Sequence, residues 1–178
     1  MRAVTRISDI FRRLFGLAAG LSLALVFLIV FVNALRRYLF GASVPWGEEL
    51  PVYLTIYGTM SGLALAYMND SHIRFTILLD GLSMRLRERI LAAGDVLAIA
   101  VGLTLARAGH LFAERRGGID ASGLVRVSRD LAEATGIEAL AALGRMGSWQ
   151  YAIAFGGAAL ALAALLRLAE RLARLRAV

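Results

Sequence analysis

The chain has 178 residues, of which 59% are hydrophobic and 19% charged, and its formal net charge is +7. Soluble domains contain about 45–50% apolar residues, so this composition predicts one small membrane domain. All 20 basic residues are arginines at the ends of apolar runs, and no cysteine is present; these facts argue against a nucleic-acid-binding face and exclude disulfides, iron–sulfur clusters and thiolate metal sites.

The first predicted membrane crossing covers residues 14–35. It follows Arg12 and Arg13 and contains no charge, and it is longer than the apolar core of a cleavable signal peptide, which predicts a retained anchor. At 1.5 Å per helical residue it spans about 33 Å, enough for hydrocarbon about 30 Å thick. Arg36 and Arg37 follow it directly.

The second predicted crossing covers residues 50–68, another stretch without a charge. Gly58 and Gly62 form a GxxxG pair on it. Small residues at every fourth position let another backbone approach closely, so this face is predicted to touch protein rather than lipid. Trp46 lies before the crossing and His72 lies after it.

Glu48 and Glu49 precede the second crossing, and their role has two interpretations. Adjacent helical residues point about 100° apart, which is poor geometry for a catalytic dyad. The acids either favour the positive N-terminus of the helix, by about 0.3–1 kcal/mol each, or pair with Arg36 or Arg37 and fix the first two helices. Trp46 is either an interfacial anchor or a contact with a partner subunit.

The third predicted crossing covers residues 90–106 and is the least hydrophobic. Small residues recur on it at every fourth position: Gly94, Ala98, Gly102 and Ala106. They predict a second close-packing face. Asp95 borders this face, so its carboxylate is predicted to face the bundle, as a structural group, a partner contact or an ion or proton site.

The long connection 107–145 is predicted to contain a short surface helix. Apolar and charged residues alternate at helical spacing around Leu131, as in an amphipathic helix. Thr135 and Glu138 have the spacing of a capping box before the next apolar run. The fourth predicted crossing covers residues 146–166 and continues as a basic tail.

These elements predict an all-α integral membrane bundle of four transmembrane helices, a single domain over residues 1–178, with a short amphipathic helix in the third loop. The N-terminus, the second loop and the C-terminal tail carry four arginines each, against two in the first loop and six spread over the long third loop, whose charges count for less. By the positive-inside rule both termini are expected in the cytoplasm. Trp46 then faces the outside and His72 the cytoplasm.

The sequence predicts no catalytic, cofactor-binding or metal-binding residues. His72 and His110 flank the third crossing, about 25–30 Å apart on opposite membrane faces, so they cannot ligate one haem. No crossing carries the mid-membrane polar groups that a transporter acting alone requires. These two points argue against a membrane anchor of a respiratory enzyme and against an autonomous small transporter, which are kept as the alternative functions.

The order of several motifs resembles the DctQ family, the small membrane subunit of tripartite ATP-independent periplasmic (TRAP) transporters. The matching motifs are Arg37-Tyr38, Trp46-Gly47-Glu48-Glu49, the region of Gly62, and His72-Ile73-Arg74. The specific resemblance covers about residues 11–89. Thr76 stands where the family often has an acidic residue.

The resemblance implies a non-catalytic scaffold in the bacterial inner membrane. Its partners would be a large permease subunit, which binds sodium and small organic acids, and a periplasmic substrate-binding protein; no cofactor is implied for this chain and no nucleic acid as partner. The candidate structural or subunit-contact residues are Arg36, Arg37, Trp46, Glu48, Glu49, Gly58, Gly62, His72 and Asp95.

Overall fold

The computed structural model describes residues 2–69 and 81–175, with side-chain surroundings for residues 6–69 and 81–173. The helices in these residues are α1 (Arg2–Phe40), α2 (Trp46–Met68), α3 (Met84–Arg116), α4 (Val125–Thr135), a 3₁₀ helix (Glu138–Gly144) and α5 (Met146–Leu175). The predicted all-α class is confirmed. Each predicted crossing lies inside one of the long helices α1, α2, α3 and α5.

Within residues 2–69 and 81–175, three segments are long and apolar enough to cross a membrane: Arg6–Phe40, Met84–Arg116 and Met146–Ala173. α2 is not among them because three tyrosines, two threonines and a serine lower its mean hydropathy. Its 23 residues nevertheless have the length of a crossing, about 34 Å. The count of four crossings and their bounds stay predictions.

α1 packs antiparallel on α2 through the predicted glycine face. Gly58 lies against Ser22, and Gly62 lies near Ala19. A Cβ atom at Gly58 would lie 2.8 Å from Cβ of Ser22, so a larger residue there would push the helices apart. Only 6% of the most apolar 18-residue stretch of α1 is buried. Most of this helix therefore faces outwards from the bundle.

α3 packs antiparallel on α5 at backbone contact. Gly102 lies against Ala161, and Gly109 lies against Ala154. Asp95, Gly102 and Gly109 are buried and recur at every seventh position, a spacing that falls only about 20° short of two helical turns.

The stripe predicted on α3 at every fourth residue is wrong at its first member. Gly94 is exposed and no atom lies within 4 Å of the position of a Cβ there. Each step of four residues advances about 40° beyond a full turn, so a four-residue stripe drifts away from a straight contact. Gly102 and Ala106 remain in the contact with α5, where Gly157 lies against Ala106.

α2 and α5 run parallel in the centre of the bundle. The ring of Tyr53 stacks on Trp149 with centroids 4.9 Å apart. Seven residues further along both helices, Met60 lies against Gly156. Helix directions therefore alternate, with α1 and α3 opposite to α2 and α5. We name the two ends of the bundle by their contents: the terminal end holds the start of α1 and the end of α5, and the loop end holds Trp46 and α4.

The third connection is shorter than predicted because α3 continues to Arg116. The predicted surface helix is confirmed as α4, Val125–Thr135. The predicted capping box is wrong, since Thr135 ends α4 and Gly136 follows in the left-handed conformation at φ 70°, a common way for a helix to end. The 3₁₀ helix begins at Glu138 without a side-chain cap.

Candidate functional site

Glu49 fastens the third connection to the start of α2 at the loop end. Its Oε2 accepts a hydrogen bond from the backbone N–H of Gly123 at 2.7 Å, and its Oε1 accepts one from the Tyr53 hydroxyl at 2.7 Å. Gly123 has to be small, because a Cβ atom there would lie 2.7 Å from the carbonyl oxygen of Pro45. The carboxylate thus joins segments 74 residues apart.

An apolar cluster lies beneath this hydrogen bond. Its buried members are Tyr53, Ala121 and Leu124, and its half-buried members are Trp46, Leu50, Met146 and Trp149. Trp149 Nε1 also donates to the carbonyl oxygen of Leu143 at 2.8 Å. The third connection is therefore packed onto the helices, and Trp46 contributes to that packing. The available signal for this docking was the apolar Leu124 just before the amphipathic helix.

Arg36, Arg37 and Glu48 are exposed. Within residues 6–69 and 81–173, no ion pair joins Glu48 or Glu49 to either arginine. The contact between the end of α1 and the start of α2 is made by Asn33 instead. Its Oδ1 accepts a hydrogen bond from the backbone N–H of Val44 at 2.8 Å, and its side chain packs on Gly47 of α2.

Asp95 lies at the centre of a buried polar network at the terminal end. It is 1% exposed, and its Oδ1 accepts a hydrogen bond from the Tyr67 hydroxyl at 2.7 Å. Arg171 donates from Nε to Oδ2 at 2.7 Å and lies 3.5 Å from Glu88. The network joins α2, α3 and α5, and the carboxylate faces the bundle as the sequence indicated.

A second group of charges fixes α1 to the same end. Glu170 lies 2.9 Å from Arg167 and 3.7 Å from Arg12. Arg12 also donates to the carbonyl oxygen of Met68 at 3.3 Å. Arg167 and Arg171 are buried, although the sequence places them in a basic tail. Their spacing of four residues on one helix face was the available signal.

His72 lies outside the described residues, so its predicted role stays a prediction. His110 is half-exposed on α3, with Nε2 3.3 Å from Glu114 and Nδ1 3.3 Å from the Tyr151 hydroxyl. Among the described residues no group of three histidine, aspartate or glutamate side chains is placed to hold a metal ion. Gly58 and Gly62 are accounted for by the contact between α1 and α2.

Replacing Glu49 by alanine is expected to release the third connection. A hydrogen bond to a charged group contributes about 1.5–3 kcal/mol, so tryptic cleavage after the exposed Arg126 and Arg129 of α4 should accelerate about tenfold or more. The matched control is Glu48→Ala, which removes an adjacent but exposed carboxylate and should leave the rate unchanged. Equal cleavage of both variants would contradict the assignment.

The chain is an all-α, multi-pass membrane protein. Three features define this class: long apolar helices, close contacts through small residues, and buried ion pairs at the terminal end of the bundle. The sequence profile described as "Tripartite ATP-independent periplasmic transporters, DctQ component" matches residues 26–174. Since this match covers most of the chain, the chain belongs to the DctQ family, the small permease subunits of TRAP transporters, which are non-catalytic transporter components. The resemblance seen in the sequence is confirmed.

The chain is also similar to a putative TRAP transporter small permease protein of Haemophilus influenzae. The two are 35% identical over 60 residues, which cover 34% of this chain and 37% of that protein. The chain therefore spans about a third of the length of the curated relative that it matches.

Proposed function

We propose that this chain is the scaffold subunit of a TRAP transporter that takes up small organic acids with sodium. In this proposal a large permease subunit binds substrate and sodium and moves them, and a periplasmic binding protein delivers the substrate. The chain enlarges and steadies the immobile part of the permease, and it carries no substrate itself.

The observation that carries this proposal is how the interior of the bundle is filled. Transporters that act alone bind substrate near the middle of the membrane, between broken helices and polar groups. Among the described residues the buried charged side chains are Asp95, Arg167 and Arg171, all at the terminal end. Further along, backbone contact at Gly102 and Gly109 fills the space between α3 and α5.

The orientation that we propose places the terminal end in the cytoplasm of a bacterium and the loop end in the periplasm, with both chain termini cytoplasmic. The alternating helix directions support the common location of the termini, and the arginine count supports the side. Ala42→Cys and Met84→Cys, at two exposed positions, should react with a membrane-impermeant maleimide from opposite sides of the membrane. Labelling of both from one side would refute the orientation.

Co-expression with the large permease subunit tests the function. We expect the two chains to co-purify and, together with the binding protein, to give sodium-dependent uptake of an organic acid into liposomes. Liposomes that contain this chain alone should take up none. Accumulation by the chain alone would establish an autonomous transporter, and a Soret absorbance band of the purified chain would establish a respiratory anchor; either result would overturn the proposal.

A further inference from the structure

A groove lies between the end of α1 and the start of α2, next to the contact that Asn33 makes with Val44. It lies at the loop end and has a volume of about 240 Å³. Its length on α1 is lined by Leu28, Ile29 and Val32. Its upper end, by which we mean the end nearest the loop end of the bundle, is lined by Asn33, Arg36 and Trp46. The lining therefore changes from apolar to polar along the helix axis, over about 12 Å from Leu28 to Arg36.

The position of this change matches the boundary of the membrane. The predicted first crossing ends at residue 35, so Arg36 lies where hydrocarbon gives way to headgroups. Trp46 has the amphipathic ring that favours this interfacial layer. An occupant of the groove thus needs an apolar part about two helical turns long and a polar part at the level of Arg36.

Two cations lie at the end of the groove nearest the loop end of the bundle, Arg36 in the lining and Arg37 next to it in the chain. Arg36 and Arg37 are exposed, and neither forms an ion pair within the described part of the chain. Glu49, the half-buried acid of the adjacent pair, is engaged by Gly123 and Tyr53. A guanidinium group is the side chain best suited to bind the oxygens of a phosphate, through two parallel hydrogen bonds.

We propose that this groove binds one anionic phospholipid, with its phosphate on Arg36 and one acyl chain along Leu28, Ile29 and Val32. The second cation, Arg37, favours a lipid with net negative charge over a zwitterionic one. This inference depends on the membrane position of α1 and not on the transport partners, so it can fail while the proposed function holds.

Native mass spectrometry of the full-length chain, purified from micelles that contain palmitoyl-oleoyl-phosphatidylglycerol or the matching phosphatidylcholine, tests the proposal. We expect one retained phosphatidylglycerol and weaker retention of phosphatidylcholine. Arg36→Gln should lower the affinity for phosphatidylglycerol about fivefold, as expected from one basic residue near an anionic headgroup. Arg107→Gln, at an exposed arginine of α3, is the matched control and should have no effect.

A second pair of variants tests the apolar part of the groove. Val32→Phe should fill the groove and abolish retention of phosphatidylglycerol. Val30→Phe is the matched control, because Val30 has a similar exposure, 50% against 43% for Val32. It lies outside the groove, so its replacement should leave retention unchanged. Equal retention by each variant and its control would overturn the proposal. If Val32→Phe instead released the large permease subunit and left phosphatidylglycerol bound, the groove would be a subunit contact and the lipid proposal would be wrong.

Discussion

Replacing Arg171 by methionine is expected to destabilise the bundle by about 3–5 kcal/mol, the usual cost of removing one partner of a buried ion pair. The carboxylate of Asp95 is 1% exposed, and Arg171 is the cation bonded to it, at 2.7 Å. Without the guanidinium, the negative charge stays enclosed between α2, α3 and α5. The Tyr67 hydroxyl then remains as its hydrogen-bond donor, and one neutral donor does not replace a counter-ion.

The thermal unfolding midpoint in detergent measures this cost. Arg171→Met should lower the midpoint strongly, and the double variant Arg171→Met with Asp95→Leu should recover part of the loss, because the uncompensated buried carboxylate is gone. Recovery is not complete, since Glu88 loses its contact with Arg171 and the Tyr67 hydroxyl loses its contact with Asp95. Glu114→Gln is the control, since it changes a contact between Glu114 and His110 whose side chains are 56% and 52% exposed and which should contribute little. A double variant as unstable as the single one would show that the pair itself is not responsible.

Replacing Gly102 by leucine is expected to separate α3 from α5. A Cβ atom at Gly102 would lie 2.7 Å from the backbone nitrogen of Ala161, an atom that cannot rotate away. Over-packing a well-filled contact costs about 1–3 kcal/mol and sometimes more. The upper part of this range applies here because a leucine adds four carbons where one already clashes.

Gly94→Leu on the same helix is the matched control. The position is exposed, with no atom within 4 Å of a Cβ, and leucine has the higher helix propensity, so this variant should be as stable as the parent chain. Size-exclusion chromatography and the unfolding midpoint of the two variants, measured together, give the comparison. Similar losses in both would mean that α3 does not meet α5 through Gly102.

The sequence was a good guide to which segments are helical and to their chemical character. Uncharged runs of 19 residues or more define α1 and α2 at their cores, because a segment that long must satisfy its backbone hydrogen bonds internally in hydrocarbon. The amphipathic α4 was also predictable, since the periodicity of its apolar residues is local. The GxxxG pair of α2 correctly indicated a close helix contact, although not its partner α1.

The polar contacts were not predictable in the same way. Arg171 bonds to Asp95 across 76 residues, and Glu49 bonds to Gly123 across 74. Each partner alone has a plausible local explanation, an arginine in a basic tail or an acid at a helix N-terminus. The choice between such explanations depends on where another helix lies, and no spacing within one segment contains that information.

By itself, the sequence determined that this chain is an all-α membrane protein of the DctQ type. The length of the hydrophobic segments, the positions of the arginines and the order of the motifs are all local properties of the linear sequence, so no tertiary contact is needed to recognise them. The tertiary structure alone decided that α3 meets α5 at Gly102, Ala106 and Gly109, that Arg167 and Arg171 are buried near Asp95, and that the third connection docks on Glu49. These facts depend on the rotation and register of one helix against another. A rotation of about 80°, the drift of two four-residue steps, separates a contact residue such as Gly102 from an exposed one such as Gly94.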